Sequence, residues 1–235
     1  MLVHRFGLFG MIQALIAVSY LVAGAPAPFR ASAAWWPASA TVTNVISFFL
    51  LRFLALREGL TYGQLVNLDL RKGVIGQDLL ALLGVLVLAG PIAMVPNMGI
   101  AQWLFGDYNI ANTMFLLPLP SGIALAFPIL FALTQSVAEL PTYFGYVMPR
   151  LASRWSGYGW AMVASSLWLG LQHATLPMIA DWRFVVWRVT MFIPFALLLA
   201  VVVTKRPRLL PYLMVVHSLI DLPVGIMVVQ ASLGG

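Results

Sequence analysis

Seven stretches of the chain are almost free of charge and long enough to be read as membrane-crossing helices: Phe6–Gly24, Val42–Leu56, Leu79–Met98, Gly122–Met148, Trp160–Ile179, Phe184–Val203 and Leu209–Val229. A bilayer core of about 30 Å takes about 20 apolar residues at about 1.5 Å per residue. Pro, Gly and charge clusters separate the stretches, as turn chemistry requires. The second is short and gains length by tilting or by starting earlier. The fourth is long, and Pro141 predicts a kink in it, because proline lacks the N–H that the helix ladder needs. The pattern predicts an all-α fold, a polytopic transmembrane helix bundle of about seven spans. Residues 1–121 hold the N-terminal spans and an outer loop, and 122–235 hold the remaining helices of one continuous membrane domain.

Composition sharpens this reading. Only 9% of the 235 residues are charged and 62% are hydrophobic, whereas a soluble domain carries about a quarter charged residues. The absence of cysteine removes disulfides, thiolate nucleophiles and Cys-based metal sites. A net charge of +6 has no basic stripe behind it, so nucleic acid is not an expected partner; the lipid bilayer is. The N-terminus imitates a secretory signal, with Arg5, an apolar stretch and Ala-x-Ala ending at Ala25 or Ala27. Pro26 and Pro28 follow those sites and disfavour cleavage, so the segment is kept as the first span. Arg5, Arg57, Arg71, Lys72, Arg150, Arg154, Lys205, Arg206 and Arg208 collect on one side, against Arg30 and Arg183 on the other. The positive-inside rule makes the first side cytoplasmic. The expected location is the plasma (inner) membrane, with the N-terminus in the cytoplasm and the C-terminus outside. The loop Gly99–Ser121 then faces out, as an interfacial segment anchored by Trp103, Phe105 and Tyr108.

Ionisable groups inside spans are costly and therefore candidates for function. They are Arg52, Glu139, His173, Arg188, His217 and Asp221. Arg52 and Arg188 lie near span ends, where a long side chain snorkels to the interface. Counted from the cytoplasmic ends, Glu139 lies ~15 Å deep, His173 ~20 Å, His217 ~13 Å and Asp221 ~19 Å. Three helices thus deliver two carboxylates and two imidazoles to the middle of the bilayer, with His217 and Asp221 at i and i+4 on one helix face. Thr134, Gln135, Ser136 and Thr142 form a polar stripe around Glu139, and Gln172 precedes His173. Proline is tolerated at such depth only where a partner or water meets the freed carbonyl.

These residues resemble the CPBP family (CAAX-protease and bacteriocin-processing), also called Abi or type II CAAX prenyl endopeptidases. The family's first motif is Glu-Glu-x-x-x-Arg, usually followed by Gly-Tyr and Pro-Arg-Leu. Here AELPTYFGYVMPRL, Ala138 to Leu151, places Glu139 at the first Glu, Leu140 at the second and Phe144 at the Arg. The second motif, Phe-x-x-x-His, is matched by LGLQH from Leu169 to His173. The third, His-x-x-x-Asn or Asp, is matched by HSLID from His217 to Asp221. The resemblance covers about Gly122 to Val229; the N-terminal spans carry no motif. Leu140 and Phe144 stand where a carboxylate and a guanidinium could pair. Losing both together strands no buried charge, so the exchange is tolerable.

The resemblance implies an intramembrane endopeptidase acting on a membrane protein or peptide substrate. Amide hydrolysis needs an activated water and oxyanion stabilisation. Glu139 is then the general base, His173 positions the water or shares its proton, and His217 donates to the oxyanion. Asp221 holds the His217 tautomer or donates while protonated. No cofactor is favoured. A zinc reading stays open beside this one, since His173, His217, Asp221 and Glu139 are the residue types of an open zinc site. The alternative class is a non-catalytic pseudoprotease or a bacteriocin-immunity-type membrane protein that binds peptides or partner membrane proteins, and Leu140 and Phe144 favour it. A transporter would require paired broken helices in two related halves, and only one such helix is present.

Overall fold

A computed structural model describes residues 1–68 and 76–234. Its helices are α1 (His4–Val22), α2 (Pro28–Ala33), α3 (Trp36–Arg57), α4 (Tyr62–Leu65), α5 (Gly76–Phe105), α6 (Tyr108–Thr113), α7 (Ser121–Ala124) and α8 (Phe127–Leu140). They continue with α9 (Met148–Arg154), α10 (Tyr158–Gln172), α11 (Trp182–Thr190), α12 (Ile193–Lys205) and α13 (Leu210–Leu233). A π-helical segment, Pro141–Val147, joins α8 to α9, and short 3₁₀ turns follow α10 (His173–Thr175) and precede α13 (Pro207–Leu209). There is no strand among the described residues. Six stretches are long and apolar enough to cross a membrane: His4–Val22, Trp36–Arg57, Gly76–Phe105, Ser121–Arg154, Trp182–Lys205 and Pro207–Leu233. α10 with its 3₁₀ turn is a shorter seventh. The chain is an integral membrane protein, a helix bundle of about seven spans.

Several span ends differ from the sequence reading. α3 starts at Trp36 rather than Val42, because Pro37 in the first turn lacks only an N–H that would have no helical partner there. α5 runs on to Phe105 through Pro91 and Pro96, so the beginning of the expected Gly99–Ser121 loop is helix, and α6 occupies more of it. Gly106, at φ +76°, ends α5 in a conformation that costs glycine little. The fifth span gives up α-helix at Gln172 and 3₁₀ structure at Thr175, ahead of Pro177. The sixth is two helices, since Pro194 cannot donate to the Thr190 carbonyl and α11 stops there. Arg71 and Lys72, counted in the orientation argument, lie outside the described residues.

The predicted disturbance at Pro141 is the π-helical segment. The Val137 carbonyl, which Pro141 cannot serve, accepts a hydrogen bond from Tyr62 Oη at 2.6 Å. Thr142 Oγ1 donates to the Ala138 carbonyl at 2.6 Å. Partners thus meet the freed backbone, as membrane depth demands.

Two glycines set how closely the helices approach. A Cβ at Gly225 would lie 2.6 Å from the Pro128 carbonyl oxygen, so α13 rests directly on the backbone of α8. A Cβ at Gly170 would lie 2.7 Å from the Val189 oxygen, which seats α10 against α11. Small residues permit such contact where lipid offers no hydrophobic drive between helices.

Most of the core is in two apolar clusters, beside a small third of Leu51, Ala55 and Leu65. One gathers Leu140, Tyr143, Phe144, Leu169, Leu199 and Met214. The other gathers Phe9, Trp36, Phe131, Leu176, Phe184 and Trp187. On helix after helix, the residues between the two are polar. Gln135, Ser136 and Glu139 fall between Phe131 and Leu140, Gln172 and His173 between Leu169 and Leu176, and Arg5 before Phe9. His217 and Asp221 follow Met214 in the same way and precede Val228 of the second cluster. A polar layer crosses the bundle.

Candidate active site

Glu139 is the centre of that layer and is 1% exposed. Gln135 Nε2, one turn earlier on α8, and Gln172 Nε2, at the end of α10, both donate to its Oε2. Its other oxygen, Oε1, lies 3.1 Å from His217 Nε2. His173 Nε2 stands 3.9 Å from Oε2, and Asp221 Oδ2 stands 3.6 Å from His217 Nε2. The structure therefore brings together all four residues singled out in the sequence: Glu139, His173, His217 and Asp221. Ser218 Oγ donates to Ser136 Oγ at 2.7 Å and fixes α13 against α8 beside them.

The protons on the two imidazoles follow from their neighbours. His173 Nδ1 is 2.8 Å from the Leu169 carbonyl, which only accepts, so Nδ1 carries the hydrogen. In the neutral ring, Nε2 then offers a lone pair toward Glu139. Stacking on Phe192, at 3.7 Å between ring centroids, holds the ring in that plane. His217 has the opposite pattern. Its Nε2 faces carboxylate oxygens of both Glu139 and Asp221, so that nitrogen is the one that bears a proton. Neither Nε2 of His217 nor Oδ2 of Asp221 has a partner in hydrogen-bond geometry, although both atoms are buried.

The layer also contains two guanidinium groups. Arg5 is completely buried. Its Nε donates to Gln172 Oε1 at 2.7 Å, and one terminal nitrogen donates to Asn44 Oδ1 at 2.9 Å and Gln135 Oε1 at 3.1 Å. That nitrogen is 3.8 Å from Glu139 Oε2. The sequence reading counted Arg5 among cytoplasmic loop charges, and the structure corrects this: the first turn of α1 carries it into the bundle. Arg188 is a second correction. It does not snorkel; it is 8% exposed and donates to the Leu176 carbonyl at 3.1 Å. Arg52, by contrast, is exposed near the end of α3. Two carboxylates, two imidazoles and two guanidiniums thus share the layer.

Sequence reasoning missed Arg5, Asn44 and Ser47, and read Arg188 as a snorkelling side chain. A signal for the first was present. Ser39, Thr43, Asn44 and Ser47 recur at helical spacing within an apolar span, and all four are buried. A buried polar stripe implies a polar partner on a neighbouring helix. Leu140 and Phe144 are each 1% exposed and packed within the first apolar cluster.

A narrow cleft lined by Val85, Ala89, Leu140, Phe195, Leu213 and Ile220 reaches His217 between α5, α12 and α13. Among the described residues, no group of three or more His, Asp or Glu side chains has the spacing of a metal site. The chemistry proposed below uses no metal.

The comparison with known families bears on the same stretch of chain. Residues 120–223 match the family model described as type II CAAX prenyl endopeptidase Rce1-like. This is the family that the three motifs resemble. The match spans just under half of the chain and contains Glu139, His173, His217 and Asp221. It supports an intramembrane peptidase of the CAAX-protease kind in general. α1, with Arg5, lies outside the matched segment. A search of curated proteins and a search of solved structures each gave no match.

Proposed function

We propose that the chain is an intramembrane endopeptidase in which Glu139 and His173 together hold and deprotonate the attacking water. One observation carries this reading. Glu139 Oε2 and His173 Nε2 are both acceptors and stand 3.9 Å apart. Two acceptors at that distance repel each other unless a double donor lies between them, and a water donating to both spans about this separation. Such a water has its lone pairs turned away from Glu139 and available to a carbonyl carbon.

The remaining groups take roles that fit their protons. Glu139 accepts the water's proton as the oxygen attacks, and later returns it to the leaving amine. The Nε2 hydrogen of His217 is aimed into the same space and stabilises the oxyanion, exchanging its contact with Glu139 for one with substrate. Asp221 keeps that hydrogen on Nε2 by lying beside it. The cleft at His217 is lined by apolar side chains and its volume of about 10 Å³ holds about one water, so a membrane-embedded segment enters only as α5, α12 and α13 part. Excess Lys and Arg on one side place the N-terminus in the cytoplasm and the C-terminus outside the plasma membrane. Reporter fusions within residues 99–121 and at the C-terminus should both report the outer side, and a cytoplasmic C-terminus would overturn that topology.

The test is cleavage of membrane peptides by detergent-purified protein. Glu139→Gln preserves shape but cannot take the proton, so turnover should fall at least ~100-fold while the protein stays folded. His217→Ala should also lose turnover, and Asp221→Asn should lose less, since an amide oxygen still presents partial negative charge beside Nε2. Unchanged cleavage by Glu139→Gln rules the mechanism out, and loss of cleavage on chelation rules out its metal-free form. A wild type that binds but cleaves nothing favours the pseudoprotease reading.

A further inference from the structure

Arg5 is a permanent cation, fully buried, on a helix that carries none of the motif residues. Such a group is very costly to bury unless it is paired and hydrogen-bonded. The carboxylate within ion-pair distance of it is Glu139, at 3.8 Å. Between them stand two amides, each used at both ends. Gln135 accepts from Arg5 through Oε1 and donates to Glu139 through Nε2. Gln172 does the same, and its Oε1 also accepts from Tyr143 Oη at 3.2 Å. An amide whose oxygen is held by a cation must present its N–H₂ on the opposite side, so the guanidinium fixes which way both amides point. Asn44 and Ser47 of α3 complete the shell, with Ser47 Oγ accepting at 3.4 Å.

We propose that Arg5 is the positioning residue for Glu139: its charge compensates the buried carboxylate, and its fork orients the two glutamines that hold Oε2 and leave Oε1 toward His217. The proposal rests on the peptidase reading for its kinetic consequences but not for the pairing itself. The other charged or titratable groups around Glu139 are Tyr143 in the π-helical segment, His173 after α10, Arg188 on α11, and His217 and Asp221 on α13. α3 contributes only neutral partners. Of the two cations, Arg5 is the one within ion-pair distance of Glu139 among the described residues.

The experiment is a double-mutant cycle on the detergent-purified full chain, with Arg5→Met, Glu139→Gln and the double variant compared by equilibrium unfolding. Arg5→Met alone leaves a buried carboxylate without its cation, whereas the double variant leaves none. The unfolding constant should therefore rise about tenfold less for Arg5→Met when Glu139→Gln is already present. If Arg5→Met does not accumulate, recovery of folded protein on adding Glu139→Gln reads the same coupling. Absence of coupling, or of recovery, overturns the proposal. Kinetics supply the second arm. Displacing Glu139 by about 1 Å should cost about 100-fold in kcat with KM little changed. Arg5→Lys, which keeps the charge but not the fork, should restore part of that loss. A Glu139-dependent peptidase whose kcat survives Arg5→Met, or whose loss lies in KM, overturns the positioning role while the peptidase reading stands. Coupling in a protein that cleaves nothing upholds the pairing and counts against the peptidase reading instead.

Discussion

The contact of α13 with α8 at Gly225 controls the geometry of the site from a distance. A Cβ added there would meet the Pro128 carbonyl oxygen at 2.6 Å and its carbon at 3.1 Å. Ordinary carbon–oxygen contacts begin near 3.3 Å, so Gly225→Ala must push the helices apart by roughly 0.7 Å. His217 sits about two turns back along the same helix. A rigid displacement of that size takes its 3.1 Å approach to Glu139 to roughly 3.8 Å, beyond hydrogen-bond reach. Overpacking of this kind costs about 1–3 kcal/mol, while replacing glycine by alanine in a helix gains about 1 kcal/mol. Gly84, on α5 with nothing within 4 Å of its added Cβ, is the control that separates the two effects. Gly84→Ala should stabilise slightly, and Gly225→Ala should unfold about 1–3 kcal/mol more easily than Gly84→Ala. Cleavage by Gly225→Ala should fall about 10- to 100-fold while Gly84→Ala cleaves normally. Equilibrium unfolding in detergent and the peptide assay read both. Equal stability of the two variants together with normal cleavage by Gly225→Ala would refute the reasoning.

Two further predictions concern contacts made on and beside the π-helical segment. Tyr62→Phe removes the donor to the Val137 carbonyl that Pro141 leaves free, and burial pushes the Tyr62 phenol up, so the wild type keeps its proton to donate. The variant should lose about 1–3 kcal/mol of stability, and an unchanged unfolding midpoint would mean that water already serves that carbonyl. Glu58 accepts from Arg150 Nε at 2.9 Å and from Tyr146 Oη at 3.0 Å, and the Arg150 hydrogen bonds hold its carboxyl below the usual glutamate range. A lowered carboxyl contributes stability above its unfolded-state pKa and loses it as pH falls through the folded value. The wild type should exceed Glu58→Gln by at most about 1 kcal/mol at neutral pH, since the pair is exposed. That gap should close below about pH 4, and one that persists in acid would show that the charge is not its source.

Much of this architecture was legible without coordinates because the membrane restricts the choices. With no water to satisfy backbone groups, an apolar run near 20 residues must be a helix, and most charge collects between runs. The spans, the disturbance at Pro141 and the common depth of Glu139, His173, His217 and Asp221 all follow from counting along the chain. Span ends were less legible, because the cost of a proline depends on what its freed carbonyl meets. Pro91 and Pro96 are absorbed within α5, whereas Pro194 divides the sixth span.

The partners of Glu139 were of another kind. Depth along a helix says nothing about its rotation or its neighbours, so Arg5, at the end of a span, read as a loop charge. Packing turned it inward, onto Asn44 and Ser47 of α3 and the two glutamines. Arg188 read as snorkelling for the same reason, until α11 placed it against the Leu176 carbonyl. The pattern of apolar and polar positions determined which helices form and how deep each group lies. Only tertiary packing decided which buried charges meet, because pairing depends on the faces that helices far apart in sequence turn toward one another.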